Sequence, residues 1–211
     1  SEFMMTEAGA VAPLAMATGR KTMWDKEVWD RICSMAKAFS DSGLVPKHFQ
    51  GKIADVIVVM AIAHDIGENP LTVLQSVHMV HGTAGFSAKW MIGRVNASRH
   101  FRGNLRFRIE DRGVKDFGGP NGKGLRDLRV TAYAFERDSG EEVVETVTME
   151  QAVAEGWAAN TKYRTMPEVM LRYRAATFFV RFNCPELLFG MRTDDELEDM
   201  SFSEPTRTIE I

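Results

Sequence analysis

The sequence has few of the features that mark secreted and membrane proteins. It contains two cysteines, Cys33 and Cys184, in apolar helical surroundings, which indicates free thiols of a reducing compartment and no disulfide scaffold. No stretch approaches the roughly 18 consecutive apolar residues of a membrane span. Residues 1–21 are small and polar, begin with a Ser1-Glu2-Phe3 that resembles a cloning remnant, and lack a signal-peptide cleavage pattern. We expect this segment to be disordered and the protein to be cytoplasmic, with no membrane partner.

The sequence also lacks a strong charge of one sign, since its net charge is only −3. This average hides an uneven distribution. Residues 89–137 carry twelve basic side chains against five acidic ones, whereas residues 138–160 carry six acidic side chains and no basic one. Residues 193–211 carry seven acidic side chains against Arg207 alone, and we expect a flexible acidic tail there. A basic middle of this kind suits a polyanionic partner.

No complete catalytic motif is present. His64-Asp65 matches the centre of metal-dependent phosphohydrolases, but the further ligands of such a site are not recognisable, and Gly67 more simply ends a helix. Residues 118–124 are similar to a phosphate loop, yet the glycine five positions before Gly122 is missing, and Gly124 stands where Ser or Thr would bind Mg²⁺. We expect no catalytic residue and no metal ligand, and keep a phosphohydrolase using His64 and Asp65 as the alternative function.

The hydrophobic periodicity predicts an α+β fold, with a small antiparallel sheet or hairpins packed against several helices in a single domain over residues 22–192. The helices are predicted at 23–40, at 53–66, from Pro70 after an Asn69 cap, at 88–98 after a Ser87 cap, and after a Thr148/Gln151 capping box. The strands are predicted at 77–80, 105–110, 128–136 and 143–147, with turns at 81–82 and 138–140 and a glycine-rich loop at 111–124.

Residues 162–190 predict a central helix. It should start at a Thr165/Glu168 capping box and stop near Asn183, because Pro185 disfavours helical geometry at the residue before it. Its most regular apolar stripe, which we expect to be buried, is Val169, Tyr173, Ala176 and Val180.

Four arginines lie on this helix or lead into it: Arg164, Arg172, Arg174 and Arg181. Arg174 and Arg181 are seven residues apart, which is two turns, so they share a face. A buried arginine needs an anionic partner, because an unpaired buried charge is very unfavourable. That partner is either a carboxylate of the protein or a ligand phosphate, and the sequence leaves both open.

Basic side chains interleaved with aromatic ones are typical of surfaces that bind single-stranded nucleic acid, since cations contact phosphates and rings stack on bases. A solvated basic face, or one that meets an acidic protein, is the alternative interpretation. The candidate nucleic-acid-binding residues are Lys89, Trp90, Arg94, Arg99, Arg102, Arg106, Arg108, Lys123, Arg126, Arg129, Lys162, Tyr163, Arg164, Arg172, Arg174 and Arg181.

Four stretches in a fixed order carry a family resemblance: residues 42–52 (SGLVPKHFQGK), 63–71 (AHDIGENPL), 80–88 (VHGTAGFSA) and 165–175 (TMPEVMLRYRA). With these stretches the sequence resembles the phage RecT/Redβ family of single-strand annealing proteins over residues 24–192. The resemblance implies ATP-independent binding and annealing of single-stranded DNA in the bacterial host cell, through rings or helical filaments of identical subunits. It implies no covalent chemistry and no nucleotide hydrolysis.

The resemblance also implies site residues and partners. It places Arg164, Arg172, Arg174 and Arg181 in a basic DNA groove and suggests Lys89, Arg94 and Arg99 as its other wall. Of the helix arginines, we expect Arg174 and Arg181 to line the groove and Arg172 to form an internal ion pair or a contact between subunits. A phage exonuclease and the host single-strand-binding protein are further implied partners. No cofactor is expected, with a Mg²⁺ dependence of DNA binding left open.

The sequence departs from the family at its end. Many relatives carry a further C-terminal module, thought to contact the host single-strand-binding protein, whereas an acidic segment follows Gly190 here. We therefore expect either a shortened chain or a member without that contact.

Overall fold

The computed structural model describes residues 21–188 and 191–203, which form eight α-helices and two antiparallel sheets. The predicted α+β class is confirmed. The helices are α1 (Lys26–Ser40), α2 (Ile53–Ile66), α3 (Pro70–Ser76), α4 (Ala88–Ala97), α5 (Met149–Ala154), α6 (Lys162–Thr165), α7 (Pro167–Asn183) and α8 (Asp194–Ser203). The strands are β1 (Val77–Val80), β2 (Thr83–Phe86), β3 (Phe101–Lys115), β4 (Leu125–Glu136) and β5 (Glu142–Thr148). Residues 1–20, where we predicted disorder, lie outside the described residues.

Internal contacts group the chain into two units, which divide after Gln75. In the first unit α1 packs against α2, and the buried side chains include Val28 and Ile32 of α1 and Val56 and Met60 of α2. The predicted Asn69 cap of α3 is confirmed, since its side chain accepts a hydrogen bond from the Leu71 amide. Among the described residues no single helix is long and apolar enough to cross a membrane, and the pair α2 with α3, which passes by length and composition, is bent by 119°.

The second unit contains both sheets. β1 and β2 form a hairpin that turns at His81 and Gly82, as predicted, and both residues have positive φ angles of 48° and 82°. The larger sheet has the strand order β3-β4-β5. β3 continues to Lys115, beyond the predicted end, because it pairs with the first residues of β4. The predicted hairpin from β4 into β5 is confirmed.

One face of the larger sheet packs against α7. Alternate residues of β4 are buried on this side (Leu128, Val130, Ala132 and Ala134), and they belong to one core with Leu171, Ala175 and Phe179 of α7. Burying a side chain of the size of Leu or Phe stabilises the fold by about 1.5–3 kcal/mol. The sheet and α7 therefore form a rigid support on which the surface side chains are positioned.

Two local predictions for α7 were wrong. Met166 is the N-cap residue and no side chain caps the helix, because Thr165 is the last residue of α6 and its hydroxyl donates to the Thr161 carbonyl. The Glu168 carboxylate accepts a hydrogen bond from Arg172. Ala176 and Val180 are buried as predicted, but Val169 is 39% exposed. The helix is rotated so that Leu171, Ala175 and Phe179 face the core. Its end at Asn183 is confirmed.

Candidate nucleic-acid interface

The second face of the β3-β4-β5 sheet carries arginines and aromatic rings. Because side chains alternate along a strand, residues between the buried positions of β4 point away from α7. The strand register places Arg106 opposite Tyr133, and Tyr133 opposite Val144 of β5. We call this surface the open face; its residues, all exposed or half-buried, are Arg106, Arg108, Glu110, Arg129, Thr131, Tyr133, Phe135, Glu142, Val144 and Thr146.

Aromatic and charged groups are in direct contact on the open face. The Arg108 guanidinium lies 3.8 Å from the centroid of the Tyr133 ring and forms an ion pair with Glu142. The hydrogen bond from Arg108 lowers the pKa of Glu142. The Tyr133 and Phe135 rings meet edge to face at 6.2 Å, and Phe135 is 40% exposed. An exposed phenylalanine beside a tyrosine is an apolar surface that a flat ring can cover.

Arg106 and Arg129 have no partner on this face. No ion pair or hydrogen bond links either guanidinium to a residue in the part of the chain that the structure describes. Both side chains are exposed on either side of the Arg108–Tyr133 contact. Three guanidinium groups beside two rings provide what single-stranded nucleic acid needs, namely donors for phosphate and surfaces for bases.

Three other predicted arginines secure turns. Arg102 donates hydrogen bonds to the carbonyls of Arg137 (2.6 Å) and Asp138 (3.3 Å), and Arg164 donates to the Lys123 carbonyl (2.9 Å). Arg126 pairs with Asp111 across the end of the β3–β4 hairpin. Turn carbonyls lack partners in the strand ladder, so a guanidinium is a suitable donor for them. These side chains hold the hairpins that carry the open face.

The predicted residues on α4 and just after it divide into exposed and buried ones. Lys89 and Arg99 are exposed, whereas Arg94 is half-buried with its guanidinium 5.4 Å from the centroid of the Trp90 ring. Trp90 was expected to stack on bases, but it is 91% buried and stacks on Phe86 at 4.1 Å. Its ring belongs to the interior, where an indole buries a large apolar area.

The largest correction concerns Arg174 and the acidic tail. Residues 194–203 form α8 and not a flexible tail; the rest of the predicted tail, residues 204–211, lies outside the described residues. The Arg174 side chain is only 7% exposed, forms ion pairs with Asp199 and Glu196, and lies 4.1 Å from the centroid of the Trp157 ring. Arg174 therefore contacts carboxylates of the protein and does not line an exposed groove.

Asp199 and Glu196 gather further partners. Asp199 accepts hydrogen bonds from the Tyr163 hydroxyl (2.7 Å) and the Asn160 amide (3.1 Å). Tyr163, a predicted DNA contact, is therefore buried. Glu196 pairs with Arg181 at 2.7 Å and accepts a hydrogen bond from the Thr193 amide. Carboxylates buried to this degree need such complete pairing.

The remaining predicted residues lie at the edges of this cluster. Lys162 pairs with Glu198 of α8 at 2.5 Å, and Arg181 keeps 36% of its side chain exposed. Arg172 pairs with Glu168 one helical turn earlier at 2.6 Å, with both side chains more than 40% exposed. The internal ion pair expected for Arg172 is present, but it is a surface pair, and Arg174 holds the buried one.

The carboxylate of Asp195, on α8, destabilises the fold when it is ionised. Its pKa is raised to about 7, mainly by burial and in addition by the neighbouring carboxylates of Asp194, Glu198 and Asp199, while Lys162 lowers it. Because the folded protein binds this proton more tightly than the unfolded chain does, this residue lowers stability progressively as the pH rises from about 4 to about 7.

Asp195→Asn should therefore stabilise the protein above pH 7. We expect the free energy of unfolding to rise by about 1–2 kcal/mol at pH 8 and to change little at pH 4. Urea unfolding of both proteins at the two pH values measures this. Asp194→Asn is the matched control, since it loses a contact with His78 of 2.6 Å and should not stabilise. An equal effect of Asp195→Asn at both pH values would contradict the raised pKa.

Sequence reasoning missed Tyr133, Phe135 and Glu142. The alternation along residues 128–136 contained the signal, because Leu128, Val130, Ala132 and Ala134 leave Arg129, Thr131, Tyr133 and Phe135 on one side.

His64 and Asp65 lie in the last turn of α2, which ends at Gly67 with a φ angle of 73°. The His64 Nε2 atom is 2.9 Å from the Lys21 carbonyl oxygen. Within residues 21–188 and 191–203, no group of three or more His, Cys, Asp or Glu side chains is placed to hold a metal ion.

Comparison of the chain with protein-family models and with curated proteins returned no match.

Proposed function

We propose that the protein binds single-stranded DNA on the open face and anneals it to a complementary strand without nucleotide hydrolysis. The observation that carries this proposal is the juxtaposition of Arg106, Arg108 and Arg129 with the rings of Tyr133 and Phe135 on one exposed sheet face. The basic residues surrounding it in the sequence and the resemblance to single-strand annealing proteins support the same function.

The chemistry of the open face explains how such binding works. Guanidinium groups contact backbone phosphates, which are the same in every nucleotide, so binding does not depend on sequence. Aromatic rings stack on base faces, and stacking leaves the hydrogen-bonding edges of the bases available for pairing. A second strand can then pair with the bound one, and the duplex forms because it has the lower free energy.

The triple variant Arg106→Ala, Arg108→Ala and Arg129→Ala tests the proposal. We expect its affinity for a single-stranded oligonucleotide to fall at least about tenfold at physiological salt, and the slope of log K against log salt to decrease by roughly 2, at about 0.7 per lost phosphate contact. Fluorescence anisotropy at several salt concentrations measures both. Annealing of two complementary oligonucleotides should slow in parallel.

A control must remove the same charge elsewhere. Lys37, Lys47 and Lys52 are exposed residues of the first unit, and replacing them by Ala removes three positive charges without touching the open face. We expect a much smaller loss of affinity from this control. If the arginine variant bound the oligonucleotide as tightly as the wild type, the proposal would be contradicted. If the wild type bound an acidic protein but no oligonucleotide, a protein-interaction function would be favoured instead.

A further inference from the structure

Helix α8 covers a second group of cations. We call Lys162, Arg174 and Arg181 the α8-covered surface, and each of these side chains pairs with a carboxylate of α8. Arg174 and Arg181 are two turns apart on α7, about 10 Å along the axis, and both pair with Glu196.

The partners on α8 resemble phosphate in chemistry. A guanidinium binds a carboxylate and a phosphate through the same pair of parallel hydrogen bonds, so either anion satisfies Arg174 and Arg181. The Tyr163 hydroxyl, which donates to Asp199, can equally donate to a phosphate oxygen. The surface under α8 thus holds the hydrogen-bond donors of a phosphate-binding site. The carboxylates of α8 occupy the positions that phosphate groups would take.

The contacts between α8 and these three cations are ion pairs. Of its larger apolar side chains only Leu197 is buried, while Met200 is 40% and Phe202 is 51% exposed. Asp195 opposes docking, because its half-buried carboxylate lies near those of Asp194, Glu198 and Asp199. A segment held by ion pairs can be replaced by a polyanion that offers more of them.

We propose that the α8-covered surface is a second binding site for the phosphates of single-stranded DNA, closed by α8 in this conformation. DNA and α8 compete for it, so α8 limits binding until a strand displaces it. This inference rests on the proposed function, because it assumes that single-stranded DNA is the ligand of the open face.

A disulfide that fixes α8 provides the test. A Cβ atom at Gly85 would lie 2.8 Å from the Cδ1 atom of Leu197, so Gly85→Cys with Leu197→Cys brings two thiols together across β2 and α8. The same Cβ atom would lie 3.1 Å from the Asp194 amide nitrogen and 3.2 Å from the Arg192 carbonyl oxygen, so the backbone before α8 must shift by a few tenths of an ångström to admit it. Cys33→Ser removes the partly exposed native thiol, and Cys184 is buried. The oxidised and reduced forms have the same charge, which excludes a general electrostatic effect.

We expect oxidation to weaken binding of a single-stranded oligonucleotide at least about fivefold and to lower its salt slope by roughly 2, corresponding to three lost phosphate contacts. Circular dichroism and melting of both forms check that each is folded. Equal affinity and equal slope in the two forms would overturn closure by α8. Absence of binding in both forms and in the wild type would instead overturn the proposed function.

Two double variants test closure by α8 without a disulfide. Glu196→Gln with Glu198→Gln weakens the contacts of α8 and should tighten DNA binding about three- to tenfold. Glu150→Gln with Glu155→Gln removes the same charge from exposed positions at α5 and should change the affinity by much less. Equal tightening by both pairs would show a net-charge effect and overturn the inference.

Discussion

Asp199→Ala should lower the free energy of unfolding by about 3–5 kcal/mol, because it leaves buried partners without their anion. Arg174 would keep a charge in a site where its side chain is 7% exposed, and the Tyr163 hydroxyl and Asn160 amide would each lose a hydrogen bond. Urea unfolding followed by circular dichroism measures the change.

Two further variants make this result specific. Glu198→Ala removes a more exposed carboxylate, so we expect it to lower stability by at most about 1 kcal/mol. Arg174→Met added to Asp199→Ala should recover much of the loss, because the uncompensated charge is then gone. A loss below about 1 kcal/mol for Asp199→Ala would mean that α8 is not docked as described. Undocking of α8 would expose Arg174 to water and relieve the orphaned charge, so the loss also sets a lower limit on the free energy that a bound strand must supply to displace α8.

Tyr133→Ala with Phe135→Ala should weaken binding of single-stranded DNA by at least about 2 kcal/mol, or roughly thirtyfold, since each stacked base contributes about 1–3 kcal/mol. The salt slope should stay unchanged, because no phosphate contact is removed. Anisotropy titrations at several salt concentrations separate this pattern from that of the arginine variant.

The control for this prediction keeps the rings. Tyr133→Phe with Phe135→Tyr preserves two aromatic side chains and should bind nearly as the wild type does. Both positions are partly exposed, so the alanine variant should remain folded, which its melting temperature checks. Wild-type affinity of the alanine variant would show that bases do not stack on the open face.

The local parts of the fold were predictable from local chemistry. Alternation of apolar side chains gave β3 and β4, and the Ser87 and Thr148 caps are confirmed because each accepts a hydrogen bond from an amide three residues later. Sequence spacing also showed correctly that Arg174 and Arg181 share a face, since both pair with Glu196.

The partner of those arginines was not predictable in the same way. Asp199 lies 25 residues after Arg174, in a segment whose acidic composition is typical of a flexible tail. Whether α7 turns Arg172 or Arg174 inward depends on how the helix packs on the sheet, and spacing along the helix does not determine that rotation. The open face was missed for a related reason, because strand pairing brings Arg108, Tyr133 and Glu142 together from three strands.

Under the proposed function, the Arg108–Glu142 ion pair would make binding to the open face depend on the number of phosphates in the ligand. A ligand with one phosphate must separate this pair to reach Arg108, and the carboxylate of Glu142 repels it as it approaches. A longer strand reaches the unpaired Arg106 and Arg129 first, and that attachment raises the local concentration of its next phosphate at Arg108. Under the proposed function, Glu142 would therefore make binding depend on the length of the polyanion and would disfavour single mononucleotides.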